Sequence, residues 1–175
     1  LLSPTGAGSL AELTLENLLK SSGLRYKVDF LMQYNIETGE KRYRPDAVIF
    51  LPGDNIMVVD AKASKFFTSY SEGEEKLMQT MNYHLKSLAS KDYKENIIKH
   101  FDSKSIKYNN IITLMFLPTE QSVERVNNMS SDFIQKAWDY NIFPVGPSGL
   151  VNMLCFARFQ INDSMRSANY EKIIK

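Results

Sequence analysis

The stretch Arg44-Pro45-Asp46-Ala47-Val48-Ile49-Phe50-Leu51-Pro52-Gly53-Asp54-Asn55-Ile56-Met57-Val58-Val59-Asp60-Ala61-Lys62 constrains the fold more than any other part of the chain. Two apolar runs, Ala47 to Leu51 and Ile56 to Val59, flank Pro-Gly-Asp-Asn, which supplies a fixed φ, a permissive glycine and two side chains that tolerate tight turns. The pattern predicts a β-hairpin. Asp46, Asp60 and Lys62 lie at its open end, far from the turn. A carboxylate beside a buried sheet loses hydration and stays ionised only with a compensating partner. A divalent cation is a natural one.

Alternation along the second strand puts Val58, Asp60 and Lys62 on one face and Met57, Val59 and Ala61 on the other. Whether Asp46 shares the first face depends on register. A three-residue loop, Gly53 to Asn55, pairs Asp46 with Lys62 and Val48 with Asp60, and all three charged groups then share a face. A four-residue loop separates them. The sequence leaves both registers open.

Composition narrows the classes. With 175 residues, 43% of them hydrophobic, the chain is read as a single domain, 1–175, large enough for a substantial core. It starts at Leu1 rather than methionine, so a piece of a longer protein is expected. No run of about 18 apolar residues is present, and the one cysteine, Cys155, fits a reducing compartment. A net charge of +1 is not the footprint of a strong non-specific DNA binder, although an acidic site within a locally basic surface also sums to near neutral. There is no Gly-x-x-x-x-Gly-Lys-Ser/Thr run, which excludes a P-loop ATPase. His84, His100 and Cys155 make no zinc set.

In chain order, Ser9 with Glu12 three residues later is expected to open a helix carrying Leu10, Leu13, Leu18 and Leu19, closed near Gly23. Tyr26 to Tyr34 reads as a strand that turns at Thr38-Gly39-Glu40 into the hairpin, giving an antiparallel meander. Ala63 to Gly73 reads as a loop over the site. A helix follows from Glu74 to about Ser90, with Leu77, Met81, Leu85 and Leu88 at helical spacing, then a shorter one from Tyr93 to Phe101. Ile111 to Phe116 lacks polar alternation and reads as a strand buried on both faces. Helices at Thr119–Asn127 and Asp132–Tyr140, a strand at Ile142–Val145 and a last helix capped by Ser148 complete the chain. The pattern alone supports an α/β class.

Pro-Asp, a hairpin and Asp-X-Lys resemble the motif of the PD-(D/E)XK nucleases. Four further stretches narrow the resemblance to the RmuC family: Gly8-Ser9-Leu10-Ala11-Glu12, His84-Leu85-Lys86-Ser87-Leu88-Ala89-Ser90-Lys91-Asp92-Tyr93, Phe116-Leu117-Pro118-Thr119-Glu120 and Pro147-Ser148-Gly149-Leu150. Leu10 and Ala11 depart from the Trp and Gly expected there. The resemblance implies a restriction-endonuclease-like mixed β-sheet flanked by helices, with an α-β-β-β-α-β core, and a longer coiled-coil-containing protein whose missing part could carry homo-oligomerisation or a membrane anchor. It also implies a bacterial, cytoplasmic DNA recombination protein that hydrolyses phosphodiesters.

On that reading Asp46 and Asp60, with the Ala61 carbonyl and Glu12, hold Mg²⁺ or Mn²⁺, and Lys62 orients water or offsets charge on the phosphate. Arg44, Lys86, Lys91, Gln33 and His84 are the expected DNA contacts. Each residue has an ordinary reading as well. Glu12 completes a capping box, Pro45-Asp46 starts a strand, Lys62 lays its stem along the sheet, His84 packs in the core, and Lys86 and Lys91 form a solvated face. Two other functions remain open: a DNA-end or junction-binding module that does not cut, and a partner-recruiting domain.

Overall fold

A computed structural model describes residues 4–64 and 73–174, so most of the segment read as a loop over the site lies outside the described residues. The elements are α1 (Pro4–Ser21), β1 (Phe30–Met32), β2 (Ile36–Thr38), β3 (Lys41–Tyr43), β4 (Ala47–Leu51), β5 (Asn55–Ala61), α2 (Glu74–Ser90), α3 (Tyr93–Asp102), β6 (Asn110–Phe116), α4 (Glu120–Met129), α5 (Ser131–Asp139), β7 (Ile142–Val145) and α6 (Pro147–Ile174). The main sheet has the order β1-β4-β5-β6-β7. Its first three strands run antiparallel, and β5, β6 and β7 run parallel. The architecture is a mixed α/β sheet between helices.

The hairpin register lies two residues from the three-residue register that the sequence left open. Leu51 pairs with Asn55 and Ala47 with Val59, so the three-residue loop is Pro52 to Asp54 and not Gly53 to Asn55. Gly53 and Asp54 both take positive φ, 75° and 61°, which closes the turn one residue earlier. A shift of two keeps the parity of every side chain. Asp46 therefore comes opposite Asp60 and stays on its face.

Two apolar clusters lie on opposite faces of the sheet. Val48 and Val58 meet Leu77, Met81, Leu85 and Leu88 of α2 and Ile97 of α3. Ala47, Ile49, Met57 and Val59 meet Leu15 and Leu19 of α1 and Leu150 and Leu154 of α6. β6 contributes to both, Met115 to the first and Leu114 to the second, as expected of a strand buried on both faces. Asp46 and Asp60 share the parity of Val48 and Val58, and so lie on the face covered by α2 and α3.

Four local expectations are corrected. α1 begins at Pro4, so Ser9 and Glu12 are interior and form no capping box. Its buried residues include Ala11, Leu15 and Leu19, whereas Leu10 and Leu13 are half exposed. The first strand is confined to Phe30–Met32 because the Asp29 carboxylate gathers the preceding turn. It accepts from the Arg25 backbone N–H at 2.7 Å and from the Arg25 guanidinium at 2.9 and 3.0 Å. A separate two-stranded ribbon, β2 with β3, follows β1 in the chain before β4 returns to pair with it. Finally, α6 starts at Pro147, so Ser148 lies inside it, and the Ser148 N–H is capped by the Glu120 carboxylate of α4. Among the described residues no helix is long and apolar enough to cross a membrane.

That α4–α6 junction depends on Gly146. A Cβ there would lie 2.7 Å from Val123 Cγ2 and 3.1 Å from Glu120 Oε2. Gly146→Ala is expected to lower stability by about 1–3 kcal/mol through overpacking, measured by urea unfolding. An unchanged midpoint would show that α4 yields at no cost.

Candidate metal and phosphate site

The hairpin's open end builds the site. Asp46 and Asp60 are both buried, at 9% and 3% exposure, and the Asp46 N–H donates to Asp60 Oδ1 at 3.3 Å. The Asp46 carboxylate accepts from the Ala61 N–H at 2.7 Å and from Gln33 Nε2 at 3.1 Å. Asp60 Oδ2 accepts from Lys91 Nζ at 3.3 Å and from the Tyr93 hydroxyl at 3.1 Å. Both carboxylates sit where β5 reaches its carboxyl end beside β6, Asp60 paired with Met115 and Ala61 with Phe116. In open α/β sheets this edge is where ligands bind.

Two residues outside the glycine set hold left-handed backbone next to the pair. Gln33 (φ 52°) ends β1, and its own N–H donates to the Asp46 carbonyl at 2.9 Å, which places the side-chain amide over Asp46. Asp92 (φ 40°) turns the chain between α2 and α3, so that Lys91 before it and Tyr93 after it reach the same oxygen of Asp60. Such conformations cost about 1–3 kcal/mol and persist where the surroundings over-determine them.

Burial, and then the neighbouring charge of Asp60, push the Asp46 carboxyl up to about 6, with Glu12 adding to the rise and the Ala61 and Gln33 donors opposing it. Burial and Asp60 also push the Tyr93 phenol upward, so it stays protonated and donates. The folded pKa of Asp46 exceeds its unfolded value. The folded protein therefore keeps a proton that the unfolded chain releases, and stability falls as pH rises from about 4 to about 6. The loss is on the order of 3 kcal/mol. In chelator, the urea midpoint of the wild-type chain is expected to drop across this window and that of Asp46→Asn to drop less. Equal slopes would assign the titration elsewhere.

The remaining candidates fall at graded distances. β5 ends at Ala61, and the Lys62 N–H donates to the Phe116 carbonyl at 2.8 Å; among the described residues the cation paired with Asp60 is Lys91, not Lys62. His84 is half buried on α2, with Nε2 3.2 Å from the Ala63 carbonyl. Burial first, and Lys62 further, hold its pKa below the usual value. It thus steadies the backbone just past β5. Arg44 is exposed and its Nε donates to the Gln33 carbonyl at 3.2 Å. Lys86 stays on the exposed side of α2 and bonds to neither carboxylate. Glu12 is exposed on α1, which packs on the opposite face of the sheet, and reaches Asp46 through charge alone. Tyr93 was not among the residues singled out. Its signal was an aromatic ring at the first turn of a helix directly after Lys91-Asp92.

The donor set suits a hard divalent cation in part. Two converging carboxylates with hard oxygens are present. Among the described residues, however, no three Asp, Glu, His or Cys side chains group as a metal-ligand set.

The RmuC family model matches residues 1–175, the whole chain. The chain belongs to the RmuC family. It is 60% identical over 175 residues to a DNA recombination protein RmuC homolog of Rickettsia prowazekii (strain Madrid E), covering 99% of this chain and 41% of that protein. It is 61% identical over 176 residues to the Rickettsia bellii (strain RML369-C) homolog, again covering 41% of it. A more distant RmuC homolog, from Pseudomonas aeruginosa, is 29% identical over 158 residues, 84% of this chain and 33% of that protein. The chain thus spans about two fifths of the Rickettsia relatives. Within this RmuC domain, the His84–Tyr93 stretch supplies Lys91 and Tyr93 to Asp60, and the Phe116–Glu120 and Pro147–Leu150 stretches meet through the Glu120 cap on α6.

Proposed function

We propose that this RmuC-family domain is a Mg²⁺- or Mn²⁺-dependent DNA nuclease that acts in DNA recombination, with a site of PD-(D/E)XK type. The observation that carries the reading is the buried Asp46–Asp60 pair at the carboxyl end of β5, one residue from Ala61-Lys62. The relatives' description as DNA recombination proteins supports DNA as the substrate. Asp46, Asp60 and the Ala61 carbonyl would hold the ion, with Glu12 acting through its charge. A bound ion would polarise the phosphate and acidify a water molecule. Lys62, at the end of β5, adds positive charge where the phosphate gains negative charge. Gln33 keeps Asp46 in place, Tyr93 keeps Asp60 in place, and the low pKa of His84 keeps a second cation away from Lys62. Arg44, Lys86 and Lys91 are the phosphate contacts on this reading.

One observation favours a second reading, a module that grips DNA without cutting it. All four carboxylate oxygens of the pair already accept protein hydrogen bonds. Labelled single- and double-stranded DNA, incubated with the purified chain and Mn²⁺, separates the two. Metal-dependent cleavage lost in Asp46→Asn supports the nuclease. Binding without cleavage at any Mn²⁺ concentration replaces it with the gripping module.

A further inference from the structure

We infer that α6 is a self-association helix: its exposed face carries a seam that pairs, antiparallel and about a two-fold axis, with the same seam of a second copy of this chain.

α6 runs from Pro147 to Ile174, but its buried residues, Leu150, Leu154, Ala157 and Ile161, all belong to its first half. From Asn162 to Ile174 every residue is exposed, a length of about 20 Å at 1.5 Å per residue. That extension carries Asn162, Asp163, Ser164, Ser167 and Asn169, all weaker helix formers than alanine. Most helical stability in proteins comes from packing of one face. The extension therefore calls for a partner.

Phe156, Phe159, Asp163, Arg166, Tyr170 and Ile173 recur at alternating steps of three and four, the spacing of a heptad seam. The first three each stand two residues after a buried position, Leu154, Ala157 and Ile161 in turn, about 200° round the helix and so on the side away from the sheet. All six are exposed, Phe156, Phe159 and Tyr170 by 64, 67 and 66%. Phe156 also borders an apolar groove of about 430 Å³ lined by Leu51, Met57, Ile112 and Met153, so apolar surface continues beyond the seam at that end.

The order of the six residues selects the occupant. In an antiparallel pair centred between Asp163 and Arg166, Phe156 meets Ile173 of the second copy, Phe159 meets Tyr170, and Asp163 meets Arg166, each contact occurring twice as a two-fold axis requires. A parallel pair would set Asp163 against Asp163 and Arg166 against Arg166, like charge on like. Among the described residues neither charge has an ion pair within its own chain. Aromatic side chains bury about 150–250 Å² each, and a stable interface takes about 800 Å² per partner, a size that three rings and the adjoining groove approach. The Asp46–Asp60 pair lies on the other face of the sheet, under α2 and α3, and is not covered by this pairing.

Sedimentation equilibrium of the 175-residue chain is expected to show a dimer with a Kd on the order of 10 μM or tighter. Phe159→Glu, with circular dichroism confirming its fold, is expected to weaken it at least about a hundredfold. Asp163→Arg and Arg166→Asp, each alone, are expected to dimerise about tenfold more weakly, because each sets like charges opposite one another. Mixed in equal amounts, these two variants are expected to regain wild-type affinity, since one copy then presents two positive charges to two negative ones. A wild-type chain still monomeric at about ten times the expected Kd overturns the proposal and leaves the seam to another segment or partner. A dimer left intact by Phe159→Glu overturns it too, as do charge-reversed variants that do not recover on mixing.

Discussion

On the nuclease reading proposed above, Asp60→Ala is expected to lower Mn²⁺-dependent DNA cleavage on the order of 10³-fold. The change removes half of the carboxylate pair and leaves Lys91 and Tyr93 without their acceptor. A buried donor without an acceptor costs about 1–3 kcal/mol, so stability should drop as well. For that reason Asp60→Asn is not a neutral replacement. Every group that reaches Asp60 is a donor, and an amide would turn its own N–H₂ toward either the Asp46 N–H or the Lys91–Tyr93 pair. Asp46→Asn is the cleaner probe. Gln33 can reverse its amide and accept from Asn, while the carboxamide oxygen keeps the Ala61 N–H. Cleavage assays on both variants, alongside Mn²⁺ calorimetry, decide the matter. Near wild-type cleavage by Asp60→Ala would remove the carboxylate pair from the chemistry.

The largest expected effect on stability comes from Phe116→Ala, about 3–5 kcal/mol by urea unfolding. Phe116 is fully buried at the carboxyl end of β6. It pairs with Ala61 on one side and Val145 on the other, and its carbonyl accepts the Lys62 N–H. Truncation leaves a cavity beneath the strand ends that carry the site, and the well-packed strands on both sides can collapse little into it. Mn²⁺ affinity should weaken along with stability. A loss below about 1 kcal/mol would mean the helices of the α1–α6 face close the gap.

How far the sequence could be read depends on the range of the forces involved. α2 was legible to the residue, because Leu77, Met81, Leu85 and Leu88 recur at helical spacing and all four are buried. β6 was legible because a run without polar alternation fits a strand buried on both faces, where it contributes Met115 to one cluster and Leu114 to the other. α1 was misread at its start: Ser9 and Glu12 match a local capping pattern, but tertiary packing of Ala11, Leu15 and Leu19 extends the helix to Pro4. Of the β2–β3 ribbon only the turn at Thr38-Gly39-Glu40 was legible, because three-residue strands are too short to show alternation. Its support is remote: buried Ile36, the Glu37 N–H on His100 at 3.0 Å, Thr38 on Asn96 at 3.1 Å, and Tyr43 edge-on to Tyr93.

From the sequence alone came the hairpin, the placement of Asp46, Asp60 and Lys62 at its open end, the α/β class and the family resemblance that the RmuC match bears out. These follow from periodicity and local turn chemistry, which act within a few residues. The tertiary structure alone decided that the loop closes at Pro52–Asp54, that α1 brings Glu12 in from the far face, and that Lys91 and Tyr93 take Asp60. The last two depend on how helices seat against the sheet, 31 and 33 residues apart in the chain for Asp60 and its partners. Packing across such separations is set by burial of the whole core, and no local pattern of residues encodes it.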